Sequence, residues 1–174
     1  MVTFRTLFFY FVFYSFIGWV IEGLFNLYKN KHFTKPNFLS FPIKPMYGFA
    51  AIILLILQPR ISIVLFIPLC MVIPTLVEYV SAYLLHHFLN LHYWSYAHKP
   101  YQLHSYICLE FSLYWFILVL ILIFFFHTYT ILIYGLISKL WFIGCPFIFI
   151  FITFDFIFTI LKIKQSYKKI CPNN

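Results

Sequence analysis

The stretch Leu7 to Tyr28, LFFYFVFYSFIGWVIEGLFNLY, decides the class of this protein. It carries a single carboxylate, Glu22, and is long enough to cross a bilayer core, which takes about 20 mostly apolar residues. The rest of the chain has the same character: of 174 residues, 64% are hydrophobic, 25% aromatic and only 9% charged, against roughly 25% charged in soluble domains. A water-facing fold of this size would need polar surface that the chain lacks. The expected fold is therefore all-α: a polytopic helical membrane protein in one integral domain over residues 1–174.

Apolar runs bounded by polar or proline-rich stretches give about five spans, at residues 7–28, 46–57, 61–89, 107–126 and 144–161. The run 46–57 is short and extends back toward the loop before it. Pro68 and Pro74 should kink the third span. Residues 29–45, with three prolines, read as an ordered or re-entrant loop. Residues 90–106 mix His92, Trp94, Tyr96, His98 and Tyr101, as expected of a segment at headgroup level. Residues 127–143, interrupted by Lys139 and Trp141, read as a lid or surface helix, with a sixth crossing as the alternative. The first apolar run is continuous and lacks a small-x-small cleavage site, so it is expected to remain as a helix.

The net charge of +8 need not imply nucleic acid, because the basic residues flank apolar runs, where they set topology. Five spans with the N-terminus outside put Lys29, Lys31, Lys35, Lys44, Lys99, Lys162, Lys164, Lys168 and Lys169 on the cytoplasmic side. Arg5, Arg60 and Lys139 fall on the other, so the expected orientation is N-out and C-in. A composition rich in Phe, Ile, Tyr, Lys and Asn suits AT-rich coding and suggests a bacterial cytoplasmic membrane. Cys70, Cys108, Cys145 and Cys171 form no CxxC pair and read as packing residues.

All four acidic residues, Glu22, Glu78, Glu110 and Asp155, fall inside a predicted span or at its edge. An ionisable group at such a depth costs about 2.5 to 3.5 kcal/mol on insertion scales unless something compensates for it. Alternating span directions bring three of them within about 10 Å of one face, with Glu78 somewhat deeper. Stripes three to four residues apart, such as Ser15, Trp19, Glu22 and Asn26, turn them inward. The expectation is one polar site in the cytoplasmic half, for a ligand or a proton; the plainer reading is glue between helices.

His86, His87, His92, His98 and His104 have no recognised metal-box spacing: HExxH, HxxxH and HxxHH are absent. No metal or other cofactor is expected. GxxxxGK[ST] and GxSxG are absent too, so any ATP-driven activity needs a separate subunit.

Several blocks carry a resemblance: Phe16-Ile17-Gly18-Trp19-Val20-Ile21-Glu22, then Asn37 through Phe49 with its Pro42-x-x-Pro45-x-Tyr47-Gly48 core, then Glu78-Tyr79, and Ile107-Cys108-Leu109 running to Trp115. Their order and spacing resemble the ABC-transporter type IV (CmpB-like) family of bacterial membrane proteins, over most of the chain. The resemblance implies a permease-like subunit. In that family's pattern acids lie near the position of Trp94, and an Asn-Gly-Arg-type run precedes the Ile-Cys pair. Here Ser95, Ala97 and His104-Ser105-Tyr106 stand instead, so Lys99 or a histidine would have to replace the missing arginine.

The leading expectation is a transport subunit in the bilayer, homo-oligomeric or joined to an ATPase, with Glu22, Glu78, Glu110 and Asp155 lining a site served by the loop Pro42 to Gly48. Trp19 and Tyr47 would wall it, and Gly48 would allow close backbone approach. The alternatives are a membrane enzyme acting on lipid or envelope precursors, with His86 or His87 beside a raised-pKa carboxylate, and a non-transporting scaffold or regulator.

Overall fold

A computed structural model describes residues 3–33 and 37–170. Lys35 and Cys171 lie outside the described residues, as do the side chains of Lys168 and Lys169. The chain is all-α apart from one small hairpin: α1 Phe4–Asn30, α2 Pro45–Leu57 with a 3-10 turn Gln58–Arg60, α3 Ile63–Leu89, β1 Gln102–Leu103, β2 Ile107–Cys108, α4 Leu109–Ile121, a π-helical turn Leu122–Phe126, and α5 His127–Ile170.

Thr3 caps α1 by accepting from the Thr6 amide at 3.4 Å, and Lys31, left-handed at φ 61°, closes it with its N–H on Leu27 O. The chain then turns back along the helix it has just left. By Lys44 its amide donates to Ser15 O at 3.0 Å, about 22 Å back from Asn30 at 1.5 Å per residue. Leu39 and Ile43 are buried on the way. Pro45 sits in the first turn of α2, where its missing N–H costs nothing. α2 packs on α1 at Gly48, where an added Cβ would meet Phe11 O at 2.6 Å and crowd Ser15 Oγ. The Phe49 and Phe11 rings lie 5.0 Å apart beside it.

α3 keeps Pro68 and Pro74 within one unbroken helix and ends at Asn90, whose left-handed backbone (φ 52°) lets its N–H reach His86 O at 2.9 Å. In the following loop, β1 and β2 pair antiparallel with Gln102 opposite Cys108 and Leu103 opposite Ile107. Three residues, His104 to Tyr106, connect them; His104 and Ser105 both take positive φ, and the Tyr106 N–H closes the turn on Leu103 O at 3.0 Å, the backbone of a primed hairpin turn.

From Leu109 to Ser166 the chain is one helical run of 58 residues, roughly 87 Å if straight. It is not straight. Trp115 and Asp155 would lie roughly 60 Å apart on a straight helix, yet a short path joins them. The Trp115 and Tyr47 rings are 5.1 Å apart, Asp155 holds the Phe41 amide at 3.0 Å, and six residues of chain reach about 21 Å at most. Neighbours along the run trace an arch. Tyr14 meets His127, Thr6 meets Tyr134, Arg5 O meets Trp141, Phe4 meets Phe149, and Phe38 then meets Phe156. Pro146, inside α5, removes one backbone donor in the returning part.

Three helices are long and apolar enough to cross a membrane, Phe4–Asn30, Ile63–Leu89 and Leu109–Ser166, rather than about five. α2, at 13 residues, reaches only about 20 Å, short of a hydrocarbon core of about 30 Å. The stretches 107–126 and 144–161 belong to one helical run, apart from the strand at 107–108. Residues 127–143 are not a separate surface helix: they continue that run, and Trp141 is buried against Phe8 and Phe9. The core has two parts, one around Phe8, Phe9, Tyr14, Trp141 and Cys145, the other around Leu54, Phe66, Cys70 and Ile123.

Gly48→Ala should lower the thermal stability of the detergent-solubilised protein by about 1–3 kcal/mol, because backbone cannot yield to a new methyl as a side chain can. Gly135→Ala, with nothing within 4 Å of the new Cβ, should be neutral or stabilising by up to about 1 kcal/mol. Thermal melting of both variants checks the α1–α2 contact.

Candidate functional site

The polar centre forms where the returning loop meets α1. Lys44 Nζ lies 2.6 Å from Glu22 Oε2, and Tyr47 donates its hydroxyl to Glu22 Oε1 at 2.5 Å. The ion pair is 13% exposed at both side chains, so it is shielded far more than a surface pair. Gly18, one turn before Glu22, makes room for this arrangement, because a Cβ there would run into the Tyr47 ring.

Glu78, buried on α3, accepts from Tyr96 at 2.9 Å. Tyr47, Glu78, Tyr14, Gly18 and Trp115 line one enclosed cavity of about 50 Å³. Since a water needs about 10–15 Å³ in this measure, the cavity has room for a few waters or a small ion, not for a bulky solute. Trp115 Nε1 is buried with no partner among the described residues, as is Ser15 Oγ near Gly48. Burial pushes the Tyr96 phenol well above its ordinary pKa, Glu78 pushes it further, and Glu22 still contributes. Two carboxylates therefore act on one neutral phenol.

The other two acids stand apart. Glu110, in the first turn of α4 where the helix dipole favours negative charge, binds Lys99 at 2.8 Å and Tyr114 at 3.3 Å. The hydrogen bond to Glu110 raises the Lys99 ammonium above its usual pKa. The Phe111 ring, 4.9 Å from the ring of Tyr96, links this rim pair to the centre. Asp155 is buried on α5, and its Oδ2 accepts the Phe41 amide at 3.0 Å. It holds the far side of the loop whose Lys44 holds Glu22.

Trp19 packs edge-on to Phe33 at 5.3 Å and stacks with Phe16, outside the cavity lining. His86 bonds the Tyr106 hydroxyl at 2.5 Å and lies 4.1 Å ring to ring from His92, in an aromatic group apart from the acids' partners. Among the described residues, no group of three or more His, Cys, Asp or Glu could hold a metal. Tyr96 and Trp115 were not singled out from sequence. Tyr96 meets Glu78 from 18 positions further along, across the end of α3 and the loop after it, a relation no helical or strand period encodes. Trp115 was visible only as the end of a motif block.

Lys44→Met should destabilise the protein by about 3–5 kcal/mol by stranding a shielded carboxylate, whereas Lys44→Met with Glu22→Gln should lose markedly less; melting of the two variants reads the coupling. Raised folded pKa values at Tyr96 and Lys99 contribute stability that is complete below their unfolded values and is lost as pH rises through the folded ones. Stability should therefore hold through neutral pH and fall above about pH 10. Tyr96→Phe should melt earlier at pH 7 yet decline less steeply between pH 9 and 11.

The family described as Putative ABC-transporter type IV matches residues 9–160, a range that takes in Glu22, the loop, Glu78, Tyr96, Glu110 and Asp155. No curated protein and no solved structure matches the chain. Since the match covers far more than half of the sequence, this helical membrane protein belongs to the family described as Putative ABC-transporter type IV.

Proposed function

We propose that the chain is a permease-like subunit of a membrane transport assembly whose energy comes from a separate ATPase, and that Glu22 and Glu78 form its coupling site. The observation that carries this reading is that a short apolar helix begins beside a shielded ion pair and a cavity lined by a second, buried acid. The loop segment 37–44 and the half-length α2 meet at Lys44–Tyr47, beside Glu22 and the cavity that Glu78 lines. Discontinuous segments of this kind are tolerated at membrane depth where they line a site.

The cavity admits water or a small cation, so the centre suits protonation or ion exchange coupled to movement of the loop rather than accommodation of a whole solute. Met46 lines both this cavity and a larger groove outside it, so a shift of the Pro45–Tyr47 turn would be felt on both sides. Asp155 and Glu110 act as positioning groups, one on the loop backbone and one on the rim.

The loop with α2 acts as one crossing in two pieces, and α4 with the arched α5 as two, which gives five crossings with termini on opposite faces. Supporting this are the approach of Lys44 to mid-α1 and the return of α5 from Phe4 to Phe38. The excess of lysine at one set of ends supports a bacterial cytoplasmic membrane with N-out and C-in.

Purification of the tagged protein from native membranes in mild detergent should recover a stoichiometric P-loop ATPase with measurable ATP hydrolysis. Glu22→Gln with Glu78→Gln should keep that assembly but cut its coupled activity at least about ten-fold, the scale of a lost ionisable group. Full activity of the double amide variant would sink the coupling role, and recovery of the chain without any ATPase would sink the assembly.

A further inference from the structure

Outside the polar centre, a groove of about 550 Å³ opens between the start of α2, the last turns of α3, residues 93–94 and α5. That is within the roughly 300–1,000 Å³ range of pockets for small organic ligands. Its walls are apolar, with Phe49, Leu84, Phe88, Phe156 and Ile160 among them, and its lining contains two lysines, Lys44 and Lys164, and no acid. Lys44 is engaged by Glu22. Lys164 is exposed at the far end of α5, and no ion pair holds it among the described residues.

The polarity of this wall is graded. Phe156, Ile160 and Lys164 follow one another at four-residue spacing on a single stripe of α5, so two apolar turns lead to one ammonium. Asn37 and the Trp94 ring lie in the same lining. An apolar furrow ending in cationic and amide donors complements an acyl chain that ends in an anionic headgroup. In this setting the abundant molecule of that description is a phospholipid of the bilayer.

We propose that this groove is a binding site for an anionic phospholipid, with one acyl chain along Phe49, Leu84, Phe88 and Phe156 and the phosphate on Lys164. The site requires only that the chain sits in a membrane, so it stands or falls independently of the transport reading.

The test uses the full chain in phosphatidylcholine vesicles containing either phosphatidylglycerol or phosphatidylcholine with brominated acyl chains, and reads tryptophan quenching. The signal of Trp94 is isolated by difference from Trp94→Phe. Quenching by the brominated phosphatidylglycerol should half-saturate at about five-fold lower mole fraction, the effect of roughly one lysine near an anionic surface. Lys164→Gln should abolish that preference, Lys164→Arg should keep it, and Lys139→Gln, exposed on another part of α5, should leave it unchanged. Equal quenching by both lipids would overturn the proposal, and so would a preference that survives Lys164→Gln, which would mark only diffuse attraction to the chain's positive charge.

Discussion

A backbone amide shielded from water must find a partner within the protein, and the loop from Asn37 to Lys44 is where this chain meets that demand without a helix. An unsatisfied group there costs several kcal/mol. The Phe41 N–H goes to Asp155, the Lys44 N–H goes to Ser15 O, and the carbonyls of Phe41 and Ile43 both accept from the Asn37 side chain. With these bonds made, α2 can begin halfway along α1, and Tyr47 and Lys44 arrive at Glu22 together. The polar centre is a consequence of how the loop is held.

Seen this way, the four acids divide their tasks by environment. Glu22 and Glu78 each take a neutral phenol as partner, and Glu22 takes an ammonium as well. Glu110, 39% exposed beside Lys99, is a rim pair whose Coulomb energy is largely screened. Asp155 accepts the Phe41 amide, which is the part a carboxylate plays in holding backbone.

Much of the architecture was legible in the sequence because composition and run length report the solvent directly. The all-α class and the long helices expected at 7–28 and 61–89, found at Phe4–Asn30 and Ile63–Leu89, follow from that. The continuity from Leu109 to Ile170 was not legible. Lys139 and Trp141 look like an interruption by composition, but Trp141 donates its Nε1–H to Arg5 O at 2.9 Å and turns its ring onto Phe8 and Phe9, a tertiary demand that local pattern does not carry. Inward stripes on α1 and α3 pointed to Glu22 and Glu78. Their phenolic partners were hidden because Tyr47 and Tyr96 reach them from other segments, and the separate fates of Glu110 and Asp155 depend on the arch of α5.

That arch also fixes an order of assembly in the cell. The group that satisfies the Phe41 amide lies 114 positions further along the chain, so the ribosome makes the loop long before it makes the loop's partner. Until the returning part of α5 is made, the loop is held by its contacts with α1, Ser15 and Glu22 among them, without its partner Asp155. The last helix to be made is the one that seals the first loop, and a nascent chain cut short before Asp155 leaves the Phe41 amide without that partner.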